Sequence, residues 1–363
     1  MTALIVACAL LLPATGIAVY YLVLTLIGLQ RKSHRPEEIA VPQWSNRFAI
    51  LIPAHDEEIL LPRCLGSIPN SPNVRVIVVA DNCTDNTAKT ARNLGAEVLE
   101  RFNHSRIGKG YALAHGVPAA LAHRPDAVLI LDADCELAPG TLEAFDAALA
   151  GGCLAIQAPL NVRKAGGSES EYIAAVGAEV DRAVHRGMRR FGCSVPLRGT
   201  GMLFRRELLE THPWSMHGLA EDAEFAAVLR RAGVRVDLLD GGTIFTEAPA
   251  RSGDLLQQRR RWRAALTVPG LGWANAILTS KPLILIQLIL TAVLVPWLPI
   301  PDWLRALPIV PVAITLGVYL RAMLAVGFHW PGIGSIALVG KLAGVTFAGF
   351  WDRESTWKRT VRR

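Results

Sequence analysis

Two aspartates, Asp132 and Asp134, follow directly after the apolar run Ala127–Leu131. A short apolar run bounded by polar residues is typical of a buried strand, and side chains two positions apart in a strand point the same way. The two carboxylates therefore crowd one small volume at the carboxyl end of the strand, where open α/β sheets bind ligands. A divalent cation on phosphate oxygens would offset their repulsion, because hard cations take oxygen ligands. An Asp-rich turn without a ligand is the alternative.

Two earlier apolar runs also lead into an aspartate. Phe48–Ile52 leads to Asp56, and Val74–Ala80 leads to Asp81. One acidic strand end is ordinary, since aspartate favours turns and helix starts. If the three strands lie side by side and parallel, however, Asp56, Asp81 and Asp132 share one rim of the sheet. Three carboxylates that face one crevice suggest a site.

Two further motifs place charged residues where helices are expected to begin. Lys109 lies between Gly108 and Gly110, and free backbone N–H groups at a helix start, together with an ammonium, favour a phosphate. A solvated surface lysine is the alternative. Glu221 and Asp222 follow a loop and open another helix. Acidic residues are common there because of the helix dipole alone.

The regular alternation of strand and helix patterns predicts an α/β domain that carries these groups. In the first half, each strand-like run is followed by a helix-like stretch, so a mainly parallel, doubly wound sheet is expected. The acidic residues 56–58 favour a helix that begins at once and continues to Ser67, because acids suit a first helical turn. Further helices are expected over residues 172–190 and from Asp254 to about Leu266, with short strands over 154–158 and 235–239.

The N-terminal end of the chain is apolar enough to enter a membrane. Hydrophobic residues make up 51% of the 363 residues and charged residues 19%, and the apolar excess lies at the two ends. Ala3–Leu29 carries no charge and is long enough to span a bilayer. A cleaved signal peptide is the alternative, although no positive residue precedes the run. Arg31, Lys32 and Arg35 follow at once, which predicts that the next domain is cytoplasmic.

Apolar segments return near the C-terminus. Leu283–Leu298 and Leu307–Leu324 are expected to form a membrane hairpin. Ile333–Trp351, which contains Lys341, is expected to form an interfacial or re-entrant helix, with a third full span as the alternative. The expected organisation is an N-terminal transmembrane helix (1–30), a linker (31–46), a cytosolic α/β domain (47–253), amphipathic interfacial helices (254–280), the hairpin with the interfacial or re-entrant helix (281–351) and a basic cytosolic tail (352–363).

The net charge of +7 points to membrane surfaces and anionic substrates rather than to nucleic acid. No basic run is interleaved with aromatic residues in the way that a nucleic-acid-binding surface would require. The cysteines show no CxxC spacing, so neither a zinc site nor a disulfide framework is indicated. They are Cys8, Cys64, Cys83, Cys135, Cys153 and Cys193.

Seven short motifs follow one another between Phe48 and Trp262. They are Pro53-Ala-His-Asp-Glu-Glu58, Ala80-Asp-Asn-Cys-Thr-Asp85, Gly108-Lys-Gly-Tyr-Ala-Leu113, Asp132-Ala-Asp134, Gly199-Thr-Gly-Met202, Trp214-x-x-His217-x-x-x-Glu221-Asp222 and Gln258-x-x-Arg261-Trp262. In this order they resemble the motifs of membrane-bound family-2 glycosyltransferases, which include cellulose, chitin and hyaluronan synthases. The residues of the first four motifs and of the Trp-His-Glu-Asp block are most similar to those of a bacterial exopolysaccharide-synthesis branch. Asp56 departs from the family, which usually has Asn there.

The resemblance implies an inverting enzyme with a GT-A fold and assigns a role to each motif. Asp222 would be the catalytic base, with Glu221 in support, and Asp134 with Asp132 would hold Mg²⁺ or Mn²⁺ on the diphosphate. His55 and His217 could equally be packing residues. The donor nucleotide would contact Pro53, His55, Glu57, Asp81, Lys109, Asp132 and Arg261, with Asp81 accepting a hydrogen bond from the uracil or ribose. The acceptor would lie against Gly199, Thr200, Gly201, Gln258 and Trp262.

The function implied is transfer of a sugar from a UDP-sugar to a lipid-linked or growing glycan acceptor. The expected location is the bacterial inner membrane, as a multi-pass protein in contact with membrane lipids and with polysaccharide-assembly partners. Three alternatives stay open: a processive synthase subunit, a nucleotidyl- or sugar-phosphate transferase, and a non-catalytic membrane scaffold. Retention of Asp81, Asp132, Asp134 and Asp222 argues against the scaffold. An acidic Glu-Asp pair argues against the phosphate transferase.

Overall fold

The computed structural model describes residues 2–29, 44–163, 168–249, 251–262, 291–327 and Lys341. The strands are β1 (Phe48–Ala54), β2 (Val74–Asp81), β3 (Glu97–Arg101), β4 (Ala127–Ile130), β5 (Cys135–Leu137), β6 (Ala155–Gln157), β7 (Leu160–Arg163), β8 (Met202–Arg205), β9 (Val236–Leu238) and β10 (Ile244–Glu247). The helices are α1 (Thr2–Leu29), α2 (Leu61–Gly66), α3 (Thr87–Asn93), α4 (Lys109–Ala122), α5 (Thr141–Ala150), α6 (Glu169–Arg190), α7 (Arg206–Thr211), α8 (Glu221–Arg231), α9 (Ser252–Trp262), α10 (Asp302–Ala306) and α11 (Ile309–Val326), with a 3₁₀ turn at Val295–Trp297.

A seven-stranded mixed sheet in the order β3-β2-β1-β4-β8-β6-β9 forms the centre of the molecule. The first four strands in this order are parallel to one another. Strand β8 then runs antiparallel to both of its neighbours, and β6 pairs with β9 in parallel. A smaller sheet in the order β5-β10-β7 lies beside it. The parallel half agrees with the β-α alternation of the sequence, and β8 makes the whole sheet mixed.

The core lies on both faces of the large sheet. Along β1, Ile50 and Ile52 face a cluster built with α2, α3 and α5, whereas Ala49 and Leu51 face a cluster built with α4, α7 and α8. This alternation follows from the two-residue period of a strand. Full burial of one large apolar side chain contributes roughly 1.5–3 kcal/mol. Because both faces of β1 are buried, its sequence is a continuous apolar run rather than an alternating one.

Helix α6 is the surface on which the two long apolar helices pack. A Cβ at Gly28 of α1 would lie 2.0 Å from the backbone oxygen of Ala183, and one at Gly187 would lie 2.2 Å from the backbone oxygen of Leu24. Glycine at these two positions therefore lets α1 and α6 approach backbone to backbone. Helix α11 packs beside them, through a cluster that includes Leu24, Val176, Val180, Val184, Val318 and Ala322.

Some of the helices predicted from the sequence fall within the described residues. The helix expected to start at residues 56–58 begins only at Leu61, and the backbone N–H groups of Glu57 and Glu58 donate instead to the side chains of Thr87, at the start of α3, and of Asp85. The expected start was wrong, whereas the helix ends next to Ser67 as expected. The hairpin segment Leu307–Leu324 corresponds closely to α11, which is the one described helix long and apolar enough to cross a membrane. Most of Leu283–Leu298 and nearly all of Ile333–Trp351 lie outside the described residues.

Candidate active site

The three aspartate-bearing strand ends share one rim, as the sequence predicts. Strands β2, β1 and β4 are neighbours in that order and all run parallel. Asp81 is the last residue of β2, Asp56 lies two residues beyond β1, and Asp132 lies two residues beyond β4. The rim is therefore the carboxyl edge of the parallel half of the sheet, the usual ligand side of open α/β sheets.

Lys109 stands at the centre of this rim. Its Nζ donates to Asp132 Oδ1 at 2.5 Å and to the backbone oxygen of Gly199 at 2.7 Å, and it lies 3.7 Å from Glu221 Oε1. Burial tends to lower the pKa of the Lys109 ammonium, but Asp132 and Glu221 outweigh burial and raise its pKa above the ordinary value. Lys109 is therefore a permanent cation between two acidic groups.

Two glycines fix the position of Lys109 through α4. A Cβ at Gly116 would lie 2.6 Å from side-chain atoms of Leu51 and Val79, so α4 lies close against the sheet. A Cβ at Gly110 would lie 2.2 Å from the backbone oxygen of Met216, so the helix start also lies against the loop before α8. The N-terminal turn of α4 is thus held between β1, β2 and the segment that leads to Glu221.

Glu221 and Asp222 form the first turn of α8. Burial raises the pKa of Glu221 to about 8, with Lys109 opposing and Asp222 adding to this effect. Burial also raises the pKa of Asp222, against the lowering effects of the Ala223 backbone N–H, Lys109 and Arg198. Burial thus favours the protonated form of both carboxyl groups, and the positive charges of Lys109 and Arg198 oppose it.

Asp132, Asp134 and Cys135 offer ligand atoms that all lie within 4.8 Å of one another. The two carboxylates suit Mg²⁺ or Mn²⁺, which prefer oxygen ligands. Cys135 is 1% exposed, and burial raises the pKa of its thiol, so it stays protonated and is a poor ligand for such a cation. The oxygen donors present fit a divalent metal, with Asp134 as the main ligand because Asp132 also holds Lys109.

The turn Gly199-Thr200-Gly201 lies under the rim and shapes it from below. Thr200 is 4% exposed, and its Oγ1 accepts the backbone N–H of Asp132 at 3.0 Å. A Cβ at Gly199 would lie 3.4 Å from Lys109 Nζ and 3.7 Å from Asp222 Oδ2. Gly199 and Gly201 have φ values of 79° and 64°, which favour glycine. Thr200 therefore helps to position Asp132. Contact of the turn with the acceptor stays a prediction.

Asp81 is paired within the protein. Its Oδ1 accepts from Arg101 Nη1 and, at 3.1 Å, from Asn82 Nδ2. The ring of His55 lies with Nδ1 2.7 Å from the backbone oxygen of Asp81. The structure therefore brings His55 and Asp81 together as the resemblance implies, and places Arg101 against the same carboxylate.

The loop after β1 is tied to the loop after β2 through Asp56. Its Oδ1 accepts the backbone N–H groups of Thr84 and Asp85, at 2.6 and 3.3 Å. Although burial opposes it, these hydrogen bonds and His55 lower the pKa of Asp56. Its φ of 53° lies in the left-handed region that Asn and Asp tolerate best. An aspartate where the family usually has Asn thus fits this backbone conformation.

Two more predicted donor residues lie in the same loop region. Pro53 is the sixth residue of β1, and the backbone N–H of Glu57 donates to Thr87 Oγ1 at 2.7 Å. Gln258, by contrast, is predicted for the acceptor and is 6% exposed on α9. Arg261 and Trp262 are at the end of that helix, and their side chains lie outside the described residues.

Two residues that the sequence analysis missed support the turn under the rim. Gln157 is 1% exposed, accepts the backbone N–H of Arg198 through Oε1 at 2.8 Å, and donates to the backbone oxygen of Thr200 at 2.8 Å. The Arg198 guanidinium lies 3.0 Å from Asp181 Oδ2 on α6. A polar residue ending the short apolar strand β6, and a cation directly before Gly199, were the available sequence signals.

A stack of three side chains was also missed. The rings of Tyr111 and His217 are parallel, with centroids 4.3 Å apart, and the Arg101 guanidinium lies 5.5 Å from the centre of the Tyr111 ring. Arg101 also binds Asp81. The stack therefore connects the loop before α8 with the carboxylate at the end of β2. His217, left open between packing and catalysis by its motif, has a packing contact here.

A protein-family model described as glycosyltransferase like family 2 matches residues 45–265. The chain belongs to this family. The predicted family and enzyme class are thereby confirmed at that level: residues 45–265 form a glycosyltransferase domain. The exopolysaccharide branch and membrane attachment are not tested by this match and stay predictions.

The curated relatives match only about a quarter of this family-2 chain. Over 95 residues it is 36% identical to the 4,4'-diaponeurosporenoate glycosyltransferase of Staphylococcus haemolyticus, which covers 25% of this chain and 24% of that protein. The curated relatives that it matches are thus spanned over only about a quarter to two fifths of their length.

Solved structures show the fold of this family-2 domain. The Pyrobaculum calidifontis mannosyltransferase PcManGT, solved with GDP-Man and Mn²⁺, aligns with a TM-score of 0.56 at 20% identity, over 96% of this chain and 99% of that one. Glucosyl-3-phosphoglycerate synthase from Mycobacterium tuberculosis, solved with Mg²⁺ and UDP, aligns with a TM-score of 0.43 at 23% identity, over 64% and 86%. The first likeness confirms a GT-A-like mixed α/β fold.

Proposed function

We propose that the chain transfers a sugar from a UDP-sugar to a lipid-linked or growing glycan acceptor, with inversion at the anomeric carbon. The observation that carries this proposal is the position of Lys109. Its ammonium touches Asp132 on the side of the two metal-binding carboxylates and lies 3.7 Å from Glu221 on the side of the acidic pair. A donor diphosphate at Lys109 would therefore have possible metal ligands on one side and a base on the other.

The base in this proposal is Asp222. The motif assigns the base to Asp222, and although burial raises the pKa of both carboxyl groups, the Ala223 N–H, Lys109 and Arg198 favour the charged form of Asp222. Asp222 takes the proton of an acceptor hydroxyl, whose oxygen bonds to the anomeric carbon as the bond from that carbon to the diphosphate breaks. Attack from the face opposite the leaving group gives inversion. General base catalysis of this kind typically contributes about 10²–10⁴-fold.

The leaving diphosphate is held from the other side of the rim. Lys109 carries a positive charge at a helix start, where backbone N–H groups also face an anion. Mg²⁺ or Mn²⁺ bound by Asp134 and Asp132 would neutralise the charge that develops on the leaving UDP. Asp81, beside His55 and Arg101, is assigned to the nucleoside, with one of its oxygens already occupied by Arg101.

A membrane location is the part of the proposal that explains the two long apolar helices. Helices α1 and α11 pack against α6, and Asp181 of α6 binds Arg198 at the edge of the rim. Both helices keep large apolar side chains exposed, among them Leu12, Val19, Leu26, Leu316, Leu320 and Leu324. A bilayer would cover these faces. An acceptor anchored in the inner membrane would then reach the rim from the α6 side.

The proposal is tested with membranes from cells that produce the full chain. Each of a panel of UDP-sugars and GDP-sugars is supplied with radiolabel in the sugar, and nucleotide release and extraction of label into organic solvent are measured. Transfer from one UDP-sugar into an extractable product is expected. Transfer only from GDP-sugars would overturn the UDP assignment, and label found only in water-soluble product would overturn the lipid-linked acceptor.

Processive synthesis is a second candidate, favoured by the motif Gln258-x-x-Arg261-Trp262 on α9. Two expected membrane crossings after the catalytic domain are few for a chain that forms its own channel to export a polysaccharide. We therefore propose transfer of a single sugar. The size of the labelled product separates the two: a ladder of lengths indicates processive synthesis with polysaccharide-assembly partners, and one product indicates single transfer.

A further inference from the structure

One carboxylate and two guanidinium groups meet where α6 packs against α11. Glu179 of α6 is 7% exposed. Its Oε1 lies 2.7 Å from Arg321 Nη2, and its Oε2 accepts from Arg182 Nη2 one turn along the same helix. Because a single carboxylate serves two guanidinium groups, the Glu179–Arg182–Arg321 cluster carries one net positive charge.

The cluster also contains donors that have no acceptor among the described residues. Arg182 Nε and Arg321 Nη1 are buried and, within the part of the chain that the structure describes, have no hydrogen-bond partner. Neither arginine has a second described carboxylate within ion-pair distance. A buried donor without an acceptor is costly, and one of the two positive charges has no counter-charge within the cluster. The arrangement therefore calls for an anion with several oxygen acceptors.

The guanidinium groups remain open on one side of the helix seam. Side-chain exposure is 24% for Arg182 and 32% for Arg321, whereas the Glu179 side chain between them is 9% exposed. Apolar residues of the seam, including Val176, Val180, Val318 and Ala322, surround the cluster on the protein side. A ligand could therefore approach the exposed part of each arginine side chain from outside the seam.

The position of the cluster along the apolar helices decides which anion is available. Arg321 lies near the C-terminal end of α11, and α1 crosses α6 through its own C-terminal turns at Leu24 and Gly28. The basic residues that follow α1 in the sequence predict that this end faces the cytoplasm. With this end of α11 at the cytoplasmic surface, a long arginine side chain at position 321 could extend to the lipid headgroups.

We propose that the Glu179–Arg182–Arg321 cluster binds the phosphate group of an anionic membrane phospholipid. Guanidinium groups bind phosphate oxygens in pairs, and two of them around one phosphate replace the missing acceptors and the missing charge. The inference rests on the membrane location in the proposed function, but it does not depend on which sugar is transferred. It gives α6 a lipid contact on one face while Asp181 of the same helix binds Arg198 at the rim.

The test uses the purified full chain in nanodiscs of phosphatidylcholine alone or of phosphatidylcholine mixed with phosphatidylglycerol. Native mass spectrometry measures retained phosphatidylglycerol, and the thermal midpoint is recorded in both lipids. Arg182→Gln and Arg321→Gln should each reduce retention by roughly tenfold, the equivalent of one charge-assisted hydrogen bond. Glu179→Gln should increase retention, because it removes the competing carboxylate. Arg189→Gln, on the same helix in an exposed pair with Asp240, is the matched control and should change nothing.

Lower lipid retention in the two Arg variants together with higher retention in the Glu179 variant would distinguish a phosphate site from an internal ion pair. Equal loss of thermal stability in all three variants, with unchanged lipid retention, would overturn the proposal. Inorganic phosphate added to the detergent-solubilised chain is a further arm: stabilisation there as strong as that by phosphatidylglycerol would show a free-phosphate site instead. Sugar transfer is measured on the same nanodiscs. Transfer without selective lipid retention rejects only the lipid site, and selective retention without transfer rejects only the enzymatic proposal.

Discussion

Lys109 Nζ and Asp132 Oδ1 lie 2.5 Å apart, although their residues are 23 positions apart on a helix start and a strand end. This contact holds one of the two predicted metal ligands against the predicted phosphate-binding lysine. Lys109 therefore offsets the charge of Asp132 within the rim, and an arriving diphosphate gives the ammonium a second anionic partner.

Replacing Asp222 should strongly slow sugar transfer while leaving donor binding intact. Asp222→Asn keeps the shape of the side chain but cannot take a proton, so turnover should fall by about 10²–10⁴-fold with UDP affinity nearly unchanged. Asp134→Asn should instead weaken UDP binding in the presence of Mn²⁺, because it removes a metal ligand. UDP affinity by calorimetry and initial rates of transfer are measured for both variants.

The control for these two variants is Glu210→Gln, which changes an exposed carboxylate on α7. Near-normal transfer by Asp222→Asn, or a loss of UDP affinity as large as that of Asp134→Asn, would show that Asp222 is not the base. The Glu221-Asp222 pair would then be a helix start with no catalytic proton transfer.

Removal of divalent metal should stop transfer. The ligand atoms of Asp132 and Asp134 lie close enough together for one cation, and the leaving UDP needs its charge neutralised. Excess chelator should abolish activity, and Mn²⁺ or Mg²⁺ added beyond the chelator should restore it. Undiminished transfer in excess chelator would contradict the metal assignment.

The buried Glu221 should make the folded state less stable as pH rises. Burial raises the pKa of Glu221 from 4.5 to about 8, so between these values the folded chain holds a proton that the unfolded chain has released. The free energy of unfolding therefore decreases with rising pH across this interval and levels off above it. Glu221→Gln should remove this component and raise the thermal midpoint relative to wild type at pH 8. A difference between the two proteins that does not vary from pH 4.5 to pH 8 would contradict the shift.

Arg198 should set the acidic limb of the pH–rate profile. Its positive charge lowers the pKa of Asp222 against the effect of burial. Arg198→Gln should therefore raise the pKa of Asp222 and move the acidic limb of kcat/KM to higher pH, whereas Arg198→Lys should largely restore it. Arg235→Gln, which breaks the Arg235–Asp237 pair, is the matched control. A lower rate with an unmoved limb would mean that Arg198 acts only on structure.

The C-terminal tail should be cytoplasmic. Arg353, Lys358, Arg359, Arg362 and Arg363 carry its positive charge, and basic segments stay on the cytoplasmic side. A single introduced cysteine in the tail, in a chain whose natural cysteines are changed to serine, should react with an impermeant maleimide only after the cells are permeabilised. Efficient labelling of intact cells would instead require three spans after the catalytic domain.

The sequence by itself determined the family, the parallel half of the sheet and the positions of the acidic strand ends. These depend on local patterns: apolar runs of strand length followed by aspartate at Asp56, Asp81 and Asp132, and glycines on both sides of Lys109. Because the carboxyl ends of neighbouring parallel strands meet at one edge, a shared rim was expected if these strands were neighbours, and the sheet order β2-β1-β4 makes them so.

Only the tertiary structure decided which charges meet across that rim. Glu221 has its raised pKa because burial in α8 outweighs Lys109, and no sequence pattern gives the depth of a side chain. Likewise, Arg101 reaches Asp81, Gln157 supports the turn at Thr200, and Arg321 of α11 pairs with Glu179 of α6 across 142 positions of sequence. Long side chains choose partners by distance and solvation in the folded chain, and those exist only once the helices have packed.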